Sequence, residues 1–340
     1  MTIAPTALES IAEPYRETAA GALRTAFGSA VPAQADPVSG GASGALIYRV
    51  LVDERWYLLR IETRADVMRN PYHYTCLARA AEAGVAPALH LLDVDRGVMI
   101  MDFLTNRPLT TFPGGAPALV HALGELAARL QSAPGFPEIS YREMLERMTG
   151  SLQSSGLFAP GLLTPHVEAL ERIVQVYPWH ADEIVASHND PNPYNILFDG
   201  ERLWLVDWET AYRNDPMTDV AIMTENFAPT EELEERLLAS WRGRAPDEFL
   251  RSRLQVMRVL TRLYYAGLVL SPFALNSPAS ADQDVTPLTP EQLTASVAKG
   301  ELRVGTPEFM YVFGKMLLGG FLTGTRERRF EQAMRVLGTG

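Results

Sequence analysis

The stretch Ser187-His188-Asn189-Asp190-Pro191-Asn192-Pro193-Tyr194-Asn195, followed by Asp207-Trp208-Glu209, sets two carboxylates and an amide in a fixed order. A carboxylate can accept the proton of an attacking hydroxyl. An amide oxygen with a second carboxylate can hold magnesium against phosphate oxygens. Asp190, Asn195 and Asp207 supply those groups in that order, which is what phosphoryl transfer demands. Taken singly, His, Asp and Asn in a proline-rich stretch are ordinary turn residues whose side chains bond nearby backbone. The ordered set is what points to chemistry.

The elements that must position these groups are also readable. Pro191 and Pro193 forbid regular helix or central strand, so the loop after a short strand at 183–186 is stiff. Asp199-Gly200 is a tight-turn pair and predicts a hairpin between 196–198 and 202–206, returning Asp207 beside Asn195.

On His188, Asp190 and Asn195, the Asp207-Trp208-Glu209 triplet, and Asn214-Asp215-Pro216 leading to Asp219-Val220-Ala221, the chain resembles the aminoglycoside phosphotransferase and choline kinase superfamily. These are small-molecule kinases with a protein-kinase-like fold. The resemblance implies that Asp190 is the catalytic base, that Asn195 and Asp207 are magnesium ligands, and that His188 and Asp219 hold the catalytic loop. Glu209 directly after Trp208 looks more like the choline kinase branch. The implied architecture is α+β and two-lobed: an N-terminal lobe with a small antiparallel sheet over 1–104, and a larger helical lobe over 105–340. ATP and Mg²⁺ are the implied cofactors.

The N-terminal half can be tested against that fold. Ser39, Gly40, Gly41, Ser43 and Gly44 lie between two extended runs, where glycines would let backbone N–H groups approach phosphate. The pattern is neither a dinucleotide fingerprint nor a Walker loop, and a plain hairpin turn would read the same way. On the next strand, 55–61, Arg60 stands where the family places a phosphate-contacting lysine or arginine. A solvated edge arginine is the competing reading. Asn70-Pro71 predicts a helix from Asn70 as N-cap to about Ala83. This helix departs from the kinase pattern: its first acidic residue, Glu82, is near the wrong end. Arg60 must therefore be held differently, by Glu62 or His73. The apolar run 97–104 suits a hinge whose backbone at Met101 and Phe103 would meet adenine, while Leu119, Leu123, Leu126 and Leu130 form a helical core stripe.

Bulk properties narrow the class. The 340 residues are 47% hydrophobic and 21% charged, enough for a sizeable core. Lysine and arginine total 30 against 41 acidic residues, giving a net charge of −11, which argues against nucleic acid or an anionic membrane as the partner. That charge either keeps the chain soluble or complements a cationic substrate. The single cysteine, Cys76, excludes an intramolecular disulfide framework and fits a reducing, cytoplasmic setting. We expect no secretory signal in the first thirty or so residues and no membrane-spanning run. The 6 histidines show no zinc-site spacing.

The short stretch between Asp207 and Asp219 leaves no room for a peptide-docking activation segment, so a small-molecule alcohol is the expected acceptor. Glu209, Tyr212 and Glu225 are the substrate-side candidates, within an aromatic and acidic set able to attract an ammonium group. Choline-like amino alcohols, aminoglycosides and sugar-type alcohols compete as acceptors. The stretch 271–290 reads as a long loop, either a lid or a passive surface segment. A nucleotide-binding pseudokinase acting through partners is the alternative class. The intact Asp190, Asn195 and Asp207 argue for an enzyme, the missing helix carboxylate against it. Oligomeric state cannot be read.

Overall fold

The computed structural model describes residues 6–28, 32–38, 45–63, 70–276 and 280–339. In chain order its regular elements begin with helices α1 (Thr6–Glu9) and α2 (Arg16–Phe27) and strands β1 (Gln34–Pro37), β2 (Leu46–Val52) and β3 (Arg55–Ile61). Helix α3 (His73–Glu82), strands β4 (Leu89–Asp93) and β5 (Val98–Asp102), and helices α4 (Gly115–Gln131), α5 (Tyr141–Ser154) and α6 (Thr164–Val176) follow. Then come strands β6 (Val185–Ser187), β7 (Ile196–Phe198), β8 (Leu203–Leu205) and β9 (Tyr212–Asn214). Helices α7 (Met217–Phe227), α8 (Glu231–Arg242), α9 (Glu248–Leu275), α10 (Pro290–Ala298), α11 (Pro307–Thr325) and α12 (Arg328–Leu337) complete an α+β chain.

These elements fall into two compact units interleaved in sequence. One is Met1–Pro137 with His188–Tyr212, the other Glu138–Ser187 with Arg213–Gly340. The sequence reading placed a single boundary after residue 104. The observed division differs because α4 and the β7–β8 hairpin pack within the sheet-bearing unit: α4 contacts β8, and Leu205 N–H donates to Val85 O at 2.8 Å.

In the first unit the sheet order is β1-β2-β3-β5-β4, with every neighbouring pair antiparallel. Asp53 and Glu54, both at positive φ (47° and 64°), close β2 onto β3 in a two-residue turn that matches strand twist. Alternation then buries Tyr48, Val50 and Val52 with Tyr57, Leu59 and Ile61 on one face, which α2 covers through Ala19, Ala22 and Leu23. Each large apolar side chain so buried contributes roughly 1.5–3 kcal/mol. Period two sends Trp56, Leu58 and Arg60 to the opposite face, so a guanidinium sits on β3 without entering that core.

Helix α3 starts at His73, with Tyr72 at the N-cap position, two residues later than expected. Asn70 does not cap it. Its Oδ1 accepts the Tyr72 N–H at 3.0 Å in a local Asx turn, and its Nδ2 donates to Ala211 O at 2.6 Å, which draws the side chain away from the helix. Gly84 ends the helix at φ +66°, as a C-terminal glycine should. The α4 stripe of Leu119, Leu123, Leu126 and Leu130 is buried.

In the second unit α9 packs against α5, α7, α11 and α12. Met217 through Thr224 of α7 are all buried, the signature of an interior helix. Pro272 is accommodated in the last turns of α9, so the segment expected to be loop from 271 is helical to Leu275. From residue 280 onward the segment is fastened at Asp282. Its backbone pairs with Leu157 and Ala159, and its carboxylate accepts from Tyr311 Oη at 2.8 Å and Lys315 Nζ at 3.0 Å. Deeper in the unit, Arg253 donates to Asp215 at 2.9 Å and to Glu183 at 2.8 Å. Tyr177 and the Met217 N–H complete the partners of the Asp215 carboxylate. His166 of α6 is buried, stacked 6.2 Å from Phe321.

Candidate active site

The predicted hairpin is present. Ile196 pairs with Leu205 and Phe198 with Leu203, and Val206 N–H donates to Asn195 O at 3.0 Å, leaving Asp207 one residue beyond that bond. Asp199 builds the turn by accepting from the N–H groups of Glu201 (2.8 Å) and Arg202 (2.9 Å) and from the Trp204 indole (2.6 Å). Burial alone would raise the Asp199 pKa, but these donors together hold it below the usual carboxylate value. Gly200, at φ +107°, supplies a backbone that other residues would strain to adopt. The hairpin is moored by Arg107 N–H on Phe198 O (2.7 Å) and Phe198 N–H on Asn106 Oδ1 (3.1 Å).

The loop before the hairpin is braced from its other side. His188 Nε2 donates to Val206 O at 2.9 Å, and its ring lies 4.7 Å from that of Trp208. Thr210 Oγ1 donates to His188 O, and Asn189 Nδ2 donates to Thr210 O, both at 3.0 Å. Asn189 holds φ at 64°, a conformation asparagine tolerates, and this turn in the chain precedes Asp190. Two amides then grip the Asp190 carboxylate: Asn192 Nδ2 on Oδ1 at 2.8 Å and Asn195 Nδ2 on Oδ2 at 3.0 Å.

Asn195 and Asp207 have the donor chemistry a hard divalent cation takes. With Nδ2 turned to Asp190, Asn195 keeps its Oδ1 unengaged among the described residues. Asp207, exposed and at φ 67°, has a carboxylate that meets no donor among them. Magnesium uses one or two carboxylates plus substrate phosphates and water, not a closed protein cage. The described residues contain no cluster of three or more His, Cys, Asp or Glu able to hold a metal.

Arg60 has an unexpected partner. Its Nε donates to Glu62 Oε1 at 3.0 Å, as the sequence suggested, and its Nη2 donates to Glu209 Oε1 at 2.9 Å. Helix α3 contributes a hydroxyl here: Tyr74 Oη donates to Glu62 Oε1 at 3.3 Å. His73 instead places Nδ1 2.7 Å from Asn70 O.

The other expected residues are distributed as follows. Ser39, Gly40, Gly41, Ser43 and Gly44 lie outside the described residues. Met101 is buried in β5, paired with Leu58 and Leu89, and Phe103 N–H is taken by Trp56 O at 3.3 Å. Among the described residues the N–H groups of Leu104 and Thr105 meet no acceptor. Tyr212 is buried in β9. Glu225 belongs to the helical unit, where its carboxylate bridges Arg258 and Arg262, each at 2.7 Å. Burial would raise its pKa, but the two guanidiniums hold it low. Asp219 is fully buried in α7. Sequence reasoning missed Asn192 and Thr210; both are short polar residues beside glycine-free turns, a signal shared with ordinary loops. Cys76, fully buried in α3, donates Sγ–H to Ala211 O at 3.1 Å.

Residues 34–255 match the profile of the phosphotransferase enzyme family, named APH, a match covering well over half of the 340 residues. The chain belongs to that family. Among solved structures, a choline/ethanolamine kinase family protein from Mesorhizobium loti aligns with 90% of this chain and 93% of its own, at TM-score 0.67 and 20% identity. Choline kinase LicA from Streptococcus pneumoniae aligns over 96% and 100% at TM-score 0.57 and 13% identity. At these identities the likeness establishes the kinase-like fold. Protein LicA of Haemophilus influenzae is 37% identical over 54 residues, 16% of this phosphotransferase-family chain. The chain spans 14% and 20% of the lengths of the first curated relatives it matches. No helix among the described residues is long and apolar enough to cross a membrane.

Proposed function

We propose that this family member transfers the γ-phosphoryl group of ATP to the hydroxyl of a small molecule, with cationic amino alcohols the favoured acceptors and aminoglycosides next. The observation that carries the reading is the Asp190 carboxylate, gripped by Asn192 and Asn195 within one braced loop, together with Asp207, which follows the Val206 N–H bond to Asn195 O and has no protein donor among the described residues.

Each group has a role in an in-line displacement. Asp190 orients the acceptor hydroxyl and takes its proton as the new O–P bond forms and the bond from the γ-phosphorus to the bridging oxygen of ADP breaks. The amide clamp fixes the carboxylate so that little reorganisation is needed, which is where positioning lowers a barrier. Asn195 Oδ1 and Asp207 would hold magnesium, which when bound neutralises phosphate charge. Arg60 meets phosphate oxygens. The N–H groups of Leu104 and Thr105 are the open hinge donors for adenine, in place of Phe103. Support for a cationic acceptor comes from the net charge of −11 and from the choline and ethanolamine kinases among the fold neighbours. The pseudokinase alternative loses its main support, because Arg60 is held by carboxylates despite the missing helix glutamate.

The test is ADP release with Mg-ATP against choline, ethanolamine, aminoglycosides and sugars, with Asp190→Asn beside the native chain. Turnover on one acceptor class that the substitution abolishes is expected. Nucleotide binding with no turnover on any acceptor would favour the pseudokinase instead.

A further inference from the structure

Arg60 carries two carboxylates, and the way they share its guanidinium has a functional meaning. A guanidinium has a side edge, formed by Nε–H and one N–H of Nη2, and an end edge, formed by the outer N–H groups of Nη1 and Nη2. Glu62 accepts from Nε at 3.0 Å and Glu209 from Nη2 at 2.9 Å, so both carboxylates can be served along the side edge. Nη1 has no partner among the described residues. The arginine side chain is only 15% exposed and that of Glu62 12%, whereas Glu209 is 31% exposed. Tyr74 Oη fastens Glu62 from α3, where the only carboxylate, Glu82, pairs with Arg79.

Resting on the kinase reading above, we propose that Glu209 is a positioning residue for the nucleotide: with Glu62 it clamps the side edge of Arg60 and presents the end edge to phosphate oxygens. The pair of carboxylates replaces the helix glutamate that this chain lacks. End-on, a guanidinium offers two parallel donors matched to a phosphate, a geometry lost if the side chain rotates. Glu209 follows Asp207 by two residues, so the clamp couples Arg60 to the segment that bears the magnesium carboxylate. This assignment moves Glu209 away from the acceptor ammonium and toward the triphosphate.

The clamp, an acceptor-side role and simple charge repulsion give three different outcomes in one experiment. A carboxylate that merely sits near phosphates repels them, so removing it tightens nucleotide binding; a clamp that aims Arg60 weakens binding when removed. Calorimetric titration with Mg²⁺ and a β,γ-imido analogue of ATP would be run on the native protein, Glu209→Ala, Glu209→Gln, Arg60→Ala and the double variant Arg60→Ala/Glu209→Ala, with thermal midpoints confirming folding. Glu209→Ala should raise Kd about tenfold, equal to about 1.4 kcal/mol. Glu209→Gln, which keeps an oxygen for Nη2, should stay within about threefold, and Glu209→Ala should cost nothing further in the Arg60→Ala background. Tighter binding in both Glu209 variants would overturn the clamp. So would unchanged nucleotide affinity with a raised KM for a cationic acceptor. Failure of the native protein to bind nucleotide would remove the kinase reading itself, an outcome separable from the others because only there does the native chain give no signal.

Discussion

Two carboxylate-centred regions of this chain are built on opposite principles. Around Asp215 the carboxylate is satisfied inside the protein: Arg253, Tyr177 and the Met217 N–H surround it, and the Arg253 and Asp215 side chains are 8% and 7% exposed. On the segments flanking the β7–β8 hairpin, Asp190 is held by two amides yet stays partly exposed, and Asp207 meets no donor among the described residues. A sealed carboxylate stabilises a fold because removing one partner strands the other charge in low dielectric. An open carboxylate contributes little to stability and is available for a ligand. The contrast separates aspartates that build from aspartates left open to a ligand.

The largest expected effect lies at the open site. Asp190→Asn should lower kcat by about 10²–10⁴-fold while the thermal midpoint changes little, measured by ADP release and calorimetry. Comparable turnover in this variant would remove the base assignment. Asp215→Ala should instead cost about 3–5 kcal/mol in urea unfolding, whereas Asp207→Asn, which keeps a side chain tolerant of the φ of 67° there, should lie within about 0.5 kcal/mol of the native chain. If the two stability effects were alike, the division between sealed and open carboxylates would fail.

His166 sharpens the same contrast with a titrating group. Burial, aided by the Arg326 charge and opposed by the Leu318 backbone, lowers its pKa from 6.5 to about 4. A histidine kept neutral by the fold binds fewer protons than its unfolded counterpart, so its stability is fully present above about pH 6.5. It is lost as pH falls from there toward 4. The difference between the native chain and His166→Phe in urea midpoint should therefore widen in the native chain's disfavour between pH 7.5 and 4.5. A pH-independent difference would contradict it. The smallest effect is at Tyr194, which is 90% exposed on the loop between Asp190 and Asn195. Tyr194→Ala should leave stability within about 0.5 kcal/mol and raise the acceptor KM a few-fold, read from initial rates.

Legibility from sequence followed the length of the contact. Asp190 and Asn195 lie in one loop, and Asp199-Gly200 fixes the turn that returns Asp207, so spacing alone constrained the geometry. The strands 46–52 and 55–61 were likewise written in their alternation. Arg60–Glu209, Asn70–Ala211 and Leu205–Val85 join residues far apart in the chain, and no periodicity encodes them. Asn70 shows the cost: its side chain had a local offer, the helix cap, and a distant one, Ala211 O, and the distant carbonyl took it. Glu225 has the same history, drawn to Arg258 and Arg262 on α9.

The chain's one thiol sits where it can report on this arrangement. Cys76 is fully buried, its Sγ–H is engaged by Ala211 O, and burial pushes its pKa up to about 12. Labelling reagents consume the exposed thiolate, which the closed form does not offer. The rate at which such a reagent modifies the untouched protein thus becomes a stopwatch for the parting of α3 from the segment beyond Asp207, with no engineered dye. Ligands that keep the two together should slow the clock, and the ratio of rates would give their hold in free energy.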